Sequence, residues 1–241
     1  MRKRVSVFIG VLFLFSCSRV EPNYWTEPHS GIRFVKIHSK AQRKALWVGE
    51  TEVTQMQWIA LMGAEELHPE KPSPFFRTNE QFPKVSVSYD DVQSYIAALK
   101  SKTDRSFRLP TAEEYQWLCE SGKKSTPEDL KAIAYYKDST TQSPDGPIPA
   151  GSLTADANGL YDLQGNAYEW TSTAYFEIHP RQTKDSLFSD QAKTLKGGSW
   201  AFGSTHTACS SALPHEPEHW GYSIGFRLVF EEETNSDSPL P

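Results

Sequence analysis

The sequence predicts an α+β fold: one compact domain with few short helices, short strands and much irregular chain. Three observations carry that reading. Helix-starting signals occur at three places, and each soon meets a glycine or polar stop. Runs suited to strands are brief and scattered. Long stretches, above all 123–153, are rich in Ser, Thr, Pro and Asp and read mainly as loop. No internal repeat or second linker divides 30–230, so one domain is the simplest organisation.

The chain begins with Arg2, Lys3 and Arg4, then an apolar run over 5–15 broken by Ser6 and Gly10, then Ser16 and Cys17. Charge, apolar run and small residue, in that order, form a secretory signal. The run is about eleven residues, short of the roughly 17–25 of a spanning helix. Leu14-Phe15-Ser16-Cys17 resembles the lipobox of bacterial lipoproteins, although Phe15 departs from its preference for a small or branched residue. The resemblance implies that 1–17 is a signal ending at a lipidated cysteine. The alternative, plain secretion with Cys17 incidental, needs a cysteine to close the apolar run by coincidence. A multiply acylated Cys17 would anchor the chain stably, at about 0.8 kcal/mol per buried CH2. Ser18 is not the aspartate associated with inner-membrane retention, so the expected place is the periplasmic side of the outer membrane or the cell surface.

Of 25 Lys+Arg, three precede Cys17, leaving 22 against 30 Asp+Glu, a net charge of −8. Such a surface argues against nucleic acid and anionic lipid as partners. Residues 18–29, with Pro22 and Pro28, read as a tether, and 231–241 as a disordered acidic tail.

Thr54 with Gln57 makes a capping box, with Val53 and Trp58 placed as a hydrophobic staple and Gly63 as a left-handed stop. Ser88 starts a second helix with Asp91 near its positive end, Val87 and Val92 as staple, and Val92, Tyr95, Ile96 and Leu99 on one face. Thr111 and Glu114 make a third box, with Tyr115, Leu118 and Cys119 on one side and Gly122 at the end. The best strand candidates are 32–37, 45–52, 194–195 and 224–230.

Four blocks then fall in a recognisable order. They are Glu52-Val53-Thr54 before a helix holding Trp58; Val85–Ser88, a helix, and Arg108-Leu109-Pro110-Thr111; 159–170, with Asp162, Gly165, Ala167, Glu169 and Trp170; and Gly197-Gly198-Ser199-Trp200, with Gly225-Phe226-Arg227 near the end. The series resembles the formylglycine-generating-enzyme, or sulfatase-modifying-factor, family over about 46–229. The resemblance implies a C-type-lectin-like α+β domain. Physically, Arg108 and Arg227 read as ion-pair or carbonyl clamps, since a guanidinium offers five donors. Trp170 and Trp200 read as core.

Formylglycine-generating enzymes hold copper on two cysteines, the first three residues after the Gly-Gly-Ser serine and the second five further on. Here those places are Phe202 and Thr207, neither a ligand for a soft ion. Copper, and with it the family's own reaction, is therefore not expected. Ser199, His206 and Cys209 remain as catalytic candidates, although Ser199 lacks a nucleophile elbow. His215 and His219 have the spacing of two ligands on a helix, but Pro217 between them argues against one. Cys119 and Cys209 are open to two readings, a disulfide in an oxidising compartment or free thiols with Cys119 buried.

The resemblance also implies one calcium site, at Asp162, Gly165, Ala167 and Glu169. Two carboxylates and two backbone carbonyls suit a hard ion, whereas the alternative has both acids capping turns. Two functions follow as expectations. One is an envelope-anchored binding or assembly module whose pocket, around Trp200, Phe202, His206 and Thr207, takes a peptide, a glycan or an envelope protein. The other is an oxidoreductase on the same scaffold with a different metal or pocket. Fold alone does not choose between them.

Overall fold

The computed structural model describes residues 24–38, 45–64, 80–122, 127–139, 145–179 and 187–231. The expected signal with Cys17, half of the expected tether (18–23) and 232–241 of the expected tail lie outside the described residues, while Glu231 ends a strand.

All three capping boxes form. Thr54 Oγ1 accepts from the Gln57 amide (3.3 Å) while Gln57 Oε1 accepts from the Thr54 amide (2.9 Å), starting α1 (Gln55–Met62). Ser88 and Asp91 do the same for α2 (Tyr89–Lys100), and Thr111 and Glu114 for α3 (Ala112–Gly122). Each cap contributes about 1 kcal/mol to helix stability. Both staple pairs, Val53 with Trp58 and Val87 with Val92, are buried in one core cluster. Gly63 has φ 88° and ψ 159°, so it stops α1 with an extended residue at positive φ and not with the expected left-handed helical one.

Two further helices are short: α4 (Pro127–Ile133), inside the stretch expected to be mainly loop, and α5 (Tyr175–Ile178). The strands are β1 (Tyr24–Thr26), β2 (Arg33–Ile37), β3 (Leu46–Gly49), β4 (Tyr168–Ala174), β5 (Lys193–Lys196), β6 (Leu213–His215), β7 (Ile224–Gly225) and β8 (Val229–Glu231). One sheet has the order β1-β2-β3-β8, wholly antiparallel. The other has the order β6-β5-β4-β7, with β4 and β7 parallel. The tether expected over 18–29 therefore ends early, because Tyr24, Trp25 and Thr26 pair with Val35, Phe34 and Arg33. The strand expected over 224–230 splits in two. Between β7 and β8 the Phe226 and Leu228 carbonyls accept from the Val53 and Gly49 amides, so this segment ties the two sheets together.

The main core is aromatic. Phe34, Phe107 and Phe230 meet at centroid distances of 5.1–5.4 Å, and Trp58 stacks on Tyr95 at 5.2 Å. Each such side chain contributes about 1.5–3 kcal/mol by burial. A second cluster, with Val35, Leu118, Leu160 and Leu163, fills the space beneath α3. Trp170 and Trp200 are both buried, as expected of core residues.

Candidate functional site

Two buried groups of side chains meet where the motif 159–170 crosses the sheets. In the first, Arg227 Nε donates to Glu169 Oε2 and its Nη2 to Glu169 Oε1, each at 2.6 Å. The guanidinium also donates to the carbonyls of Gly49 (3.2 Å) and Tyr161 (2.9 Å), and Tyr115 Oη donates to Glu169 Oε1 (3.0 Å). Arg227 is thus the clamp expected of it. Arg108 is a second one, on Glu114 at 2.7 and 2.8 Å.

In the second group Glu52, just after β3, lies beside Asp162, and neither is accessible to solvent. Among the described residues no other group donates to Glu52 Oε1 or Oε2 or to Asp162 Oδ1, while Asp162 Oδ2 accepts from the Gly151 amide at 2.7 Å. Burial, and then the neighbouring Asp162 and Glu169 carboxylates, push the Glu52 carboxyl well above its ordinary range. Burial raises Asp162 as well. Two buried carboxylates side by side must share a proton or accept a cation. Asp162 and Asn166 have φ 57° and 55°, a left-handed conformation that Asp and Asn tolerate, and Gly165 between them has φ 102°. A Cβ at Gly165 would run into the Tyr135 carbonyl, so the turn packs at backbone contact.

The expected calcium ligands are therefore only partly arranged as ligands. Both oxygens of Glu169 are engaged by Arg227 and Tyr115. In this group, among the described residues, the unpartnered carboxylate oxygens belong to Asp162 and to Glu52, which sequence reasoning placed only in a motif. Its signal was the acid immediately before the first capping box. Glu52 and Asp162 offer buried carboxylate oxygens of the hard type that calcium takes. Among the described residues no three His, Cys, Asp or Glu side chains gather as a metal site on their own, so backbone oxygens would have to complete the shell.

The other candidates do not converge. Ser199 is buried, and its Oγ accepts weakly from the Ala201 amide (3.4 Å). His206, in a 3-10 turn (Ser204–Thr207), pairs through Nδ1 with Tyr168 Oη at 2.8 Å. Phe202 packs edge-on to Tyr168 (5.4 Å) and against His206 (5.0 Å). Trp200 and Thr207 are buried, so of the expected pocket residues Phe202 is exposed and His206 half-buried. Cys209, a catalytic candidate by sequence, is joined to Cys119 of α3 in a disulfide with Cα atoms 5.6 Å apart. That settles the open alternative and removes the free thiol. His215 lies on β6 against Trp170 (5.4 Å), and its ring centre is 6.1 Å from that of His219. No helix carries the two, as Pro217 between them led us to expect.

The description of a sulfatase-modifying factor enzyme 1-like domain matches residues 33–232. The chain belongs to that family. A curated relative, the inactive C-alpha-formylglycine-generating enzyme 2 of Bos taurus, is 29% identical over 197 residues, covering 71% of this chain and 58% of that protein. The chaperone protein LppX of Paenibacillus barcinonensis is 24% identical over 236 residues, covering 76% of this chain and 79% of that one. Among solved structures, Treponema denticola variable protein 1 superposes with a TM-score of 0.67 at 21% identity, covering 87% of this chain and 99% of that one, which shows a shared fold. The chain spans little more than half the length of the formylglycine-generating relatives it matches. Its two-sheet, loop-rich α+β architecture is the C-type-lectin-like fold of the sulfatase-modifying factor family. Among the described residues no helix is long and apolar enough to cross a membrane.

Proposed function

We propose that this chain is a lipid-anchored envelope protein whose sulfatase-modifying-factor-like domain works as a non-catalytic binding or assembly module. The observation that carries the reading is at the two positions where family enzymes hold copper. They are Phe202 and Thr207, and the nearby Cys209 is tied to Cys119. A relative described as inactive shows that members of the family exist without the enzyme activity. The exposed Phe202 ring and the half-buried His206, both packed on the buried Tyr168, are the proposed contact surface for a peptide, glycan or envelope protein. Calcium held near Glu52 and Asp162 would act on stability and not on chemistry. The lipobox-like end of the signal supports anchoring at Cys17, facing the periplasm or the cell exterior. An oxidoreductase reading needs a free thiol or a converging histidine set, and Cys209, His215 and His219 provide neither.

Metal analysis of the full chain purified under mild conditions tests this. We expect no stoichiometric copper or iron, and either metal at one per chain would overturn the reading. Labelling with a fatty-acid analogue, lost in Cys17→Ser, tests the anchor.

A further inference from the structure

A cavity of about 530 Å³ opens on the outer side of α3, within the size range of small-molecule sites. The helix buries Tyr115, Leu118 and Cys119 beneath it. Its other stripe, Glu113, Gln116, Trp117 and Glu120, lines the cavity at i, i+3, i+4 and i+7 spacing. Ile178 and Ala212 line it from other segments. Among these residues Lys196 of β5 is nearly inaccessible, 2% exposed, whereas Glu113, Glu120 and Ile178 are exposed at the mouth.

Lys196 is the unusual member. Its Nζ donates to the Cys209 carbonyl at 2.7 Å, its one hydrogen-bond acceptor among the described residues. An ammonium has three donors, so two are left, in a setting that offers little water. Burial pushes its pKa down to about 8, with the Glu120 carboxylate pulling the other way. The titratable groups around it are Glu113 and Glu120 on α3, His179 after α5, and Glu169 opposite on β4, whose carboxylate is held by Arg227. A poorly solvated cation deep in a cavity with acids at the mouth matches a ligand that carries both charges.

We propose that this cavity binds a free zwitterionic ligand of amino-acid size. Lys196 receives its carboxylate, Trp117 and Ile178 hold its apolar body, and Glu120 and Glu113 face its ammonium. The site is separate from the Trp200 face and does not rest on the reading of that face.

The test is a thermal-shift screen of the common L-amino acids on the full chain in detergent, then calorimetry with whichever binds. The amide of that amino acid and its deaminated acid should each bind at least tenfold more weakly on the unaltered protein. Affinity should fall about tenfold between pH 7 and pH 9 as Lys196 loses its proton. Lys196→Met should lose binding, and the exposed Glu120→Gln should weaken it severalfold with an unchanged melting temperature. The proposal is overturned if no amino acid binds, if the amide or the deaminated acid binds as tightly, or if Lys196→Met in a folded protein retains binding.

Discussion

Arg227 grips Glu169 through two 2.6 Å hydrogen bonds, and neither side chain is accessible to solvent. Removing one partner strands the other as an uncompensated buried charge. Arg227→Met should therefore cost about 3–5 kcal/mol in denaturant unfolding, and Glu169→Gln a similar amount. The double variant should lose less than the sum, because the two residues share one interaction. Additive losses would show that the pair does not act as a unit.

The Glu52–Asp162 pair gives the calcium reading its sharpest check. Calcium at a hundredfold excess over its dissociation constant should raise the melting temperature by about 5–10 °C, and Glu52→Gln should abolish the rise. Identical melting curves with calcium and with chelator would sink the calcium reading.

The disulfide between Cys119 and Cys209 closes a loop spanning 90 positions. In the chain-entropy model such a crosslink stabilises by about 4–5 kcal/mol. Reductant, or Cys119→Ala with Cys209→Ala, should lower the melting temperature accordingly. A melting temperature indifferent to reductant would contradict a structural role for this crosslink.

Glu114 provides a pH signature. Burial alone would raise its carboxyl, but the Arg108 guanidinium and the Thr111 amide outweigh that and hold it below its ordinary value. Its contribution is present above the unfolded pKa and is lost as pH falls through the lowered folded one. The stability gap between the natural protein and Glu114→Gln should accordingly be largest near neutrality and shrink on acidification. A gap independent of pH would mean the carboxylate charge is not what stabilises.

Gly165→Ala tests the turn beside the carboxyl pair. With φ 102° and the Tyr135 carbonyl against the missing Cβ, the substitution should cost about 3 kcal/mol or more. A loss near zero would mean the backbone relaxes there freely.

The helices were legible because a cap is a local signal, with Thr54 and Gln57 sitting three residues apart. Strand β4 was not. Tyr168, Glu169, Trp170 and Thr171 alternate aromatic and polar side chains, yet all four are buried, so the alternation marks no solvent face. α4 was hidden in a composition that reads as loop. At the site, Arg227 and Trp170 were legible by residue type, whereas Glu52 looks like a surface acid until Asp162 is folded against it. The Cys119–Cys209 bond depends on a distance that no spacing encodes.

The last described strand carries a consequence for how the chain is made. β8 pairs with β3, Arg227 just before it plugs Glu169, and Cys209 supplies the far end of the disulfide. Residues late in the described domain thus complete a sheet, an ion pair and a crosslink begun much earlier. The domain cannot mature as its first half emerges, and it must wait until β8 has been made. Under the proposed export, that delay would keep the chain unfolded until it reaches a compartment where the thiols can oxidise.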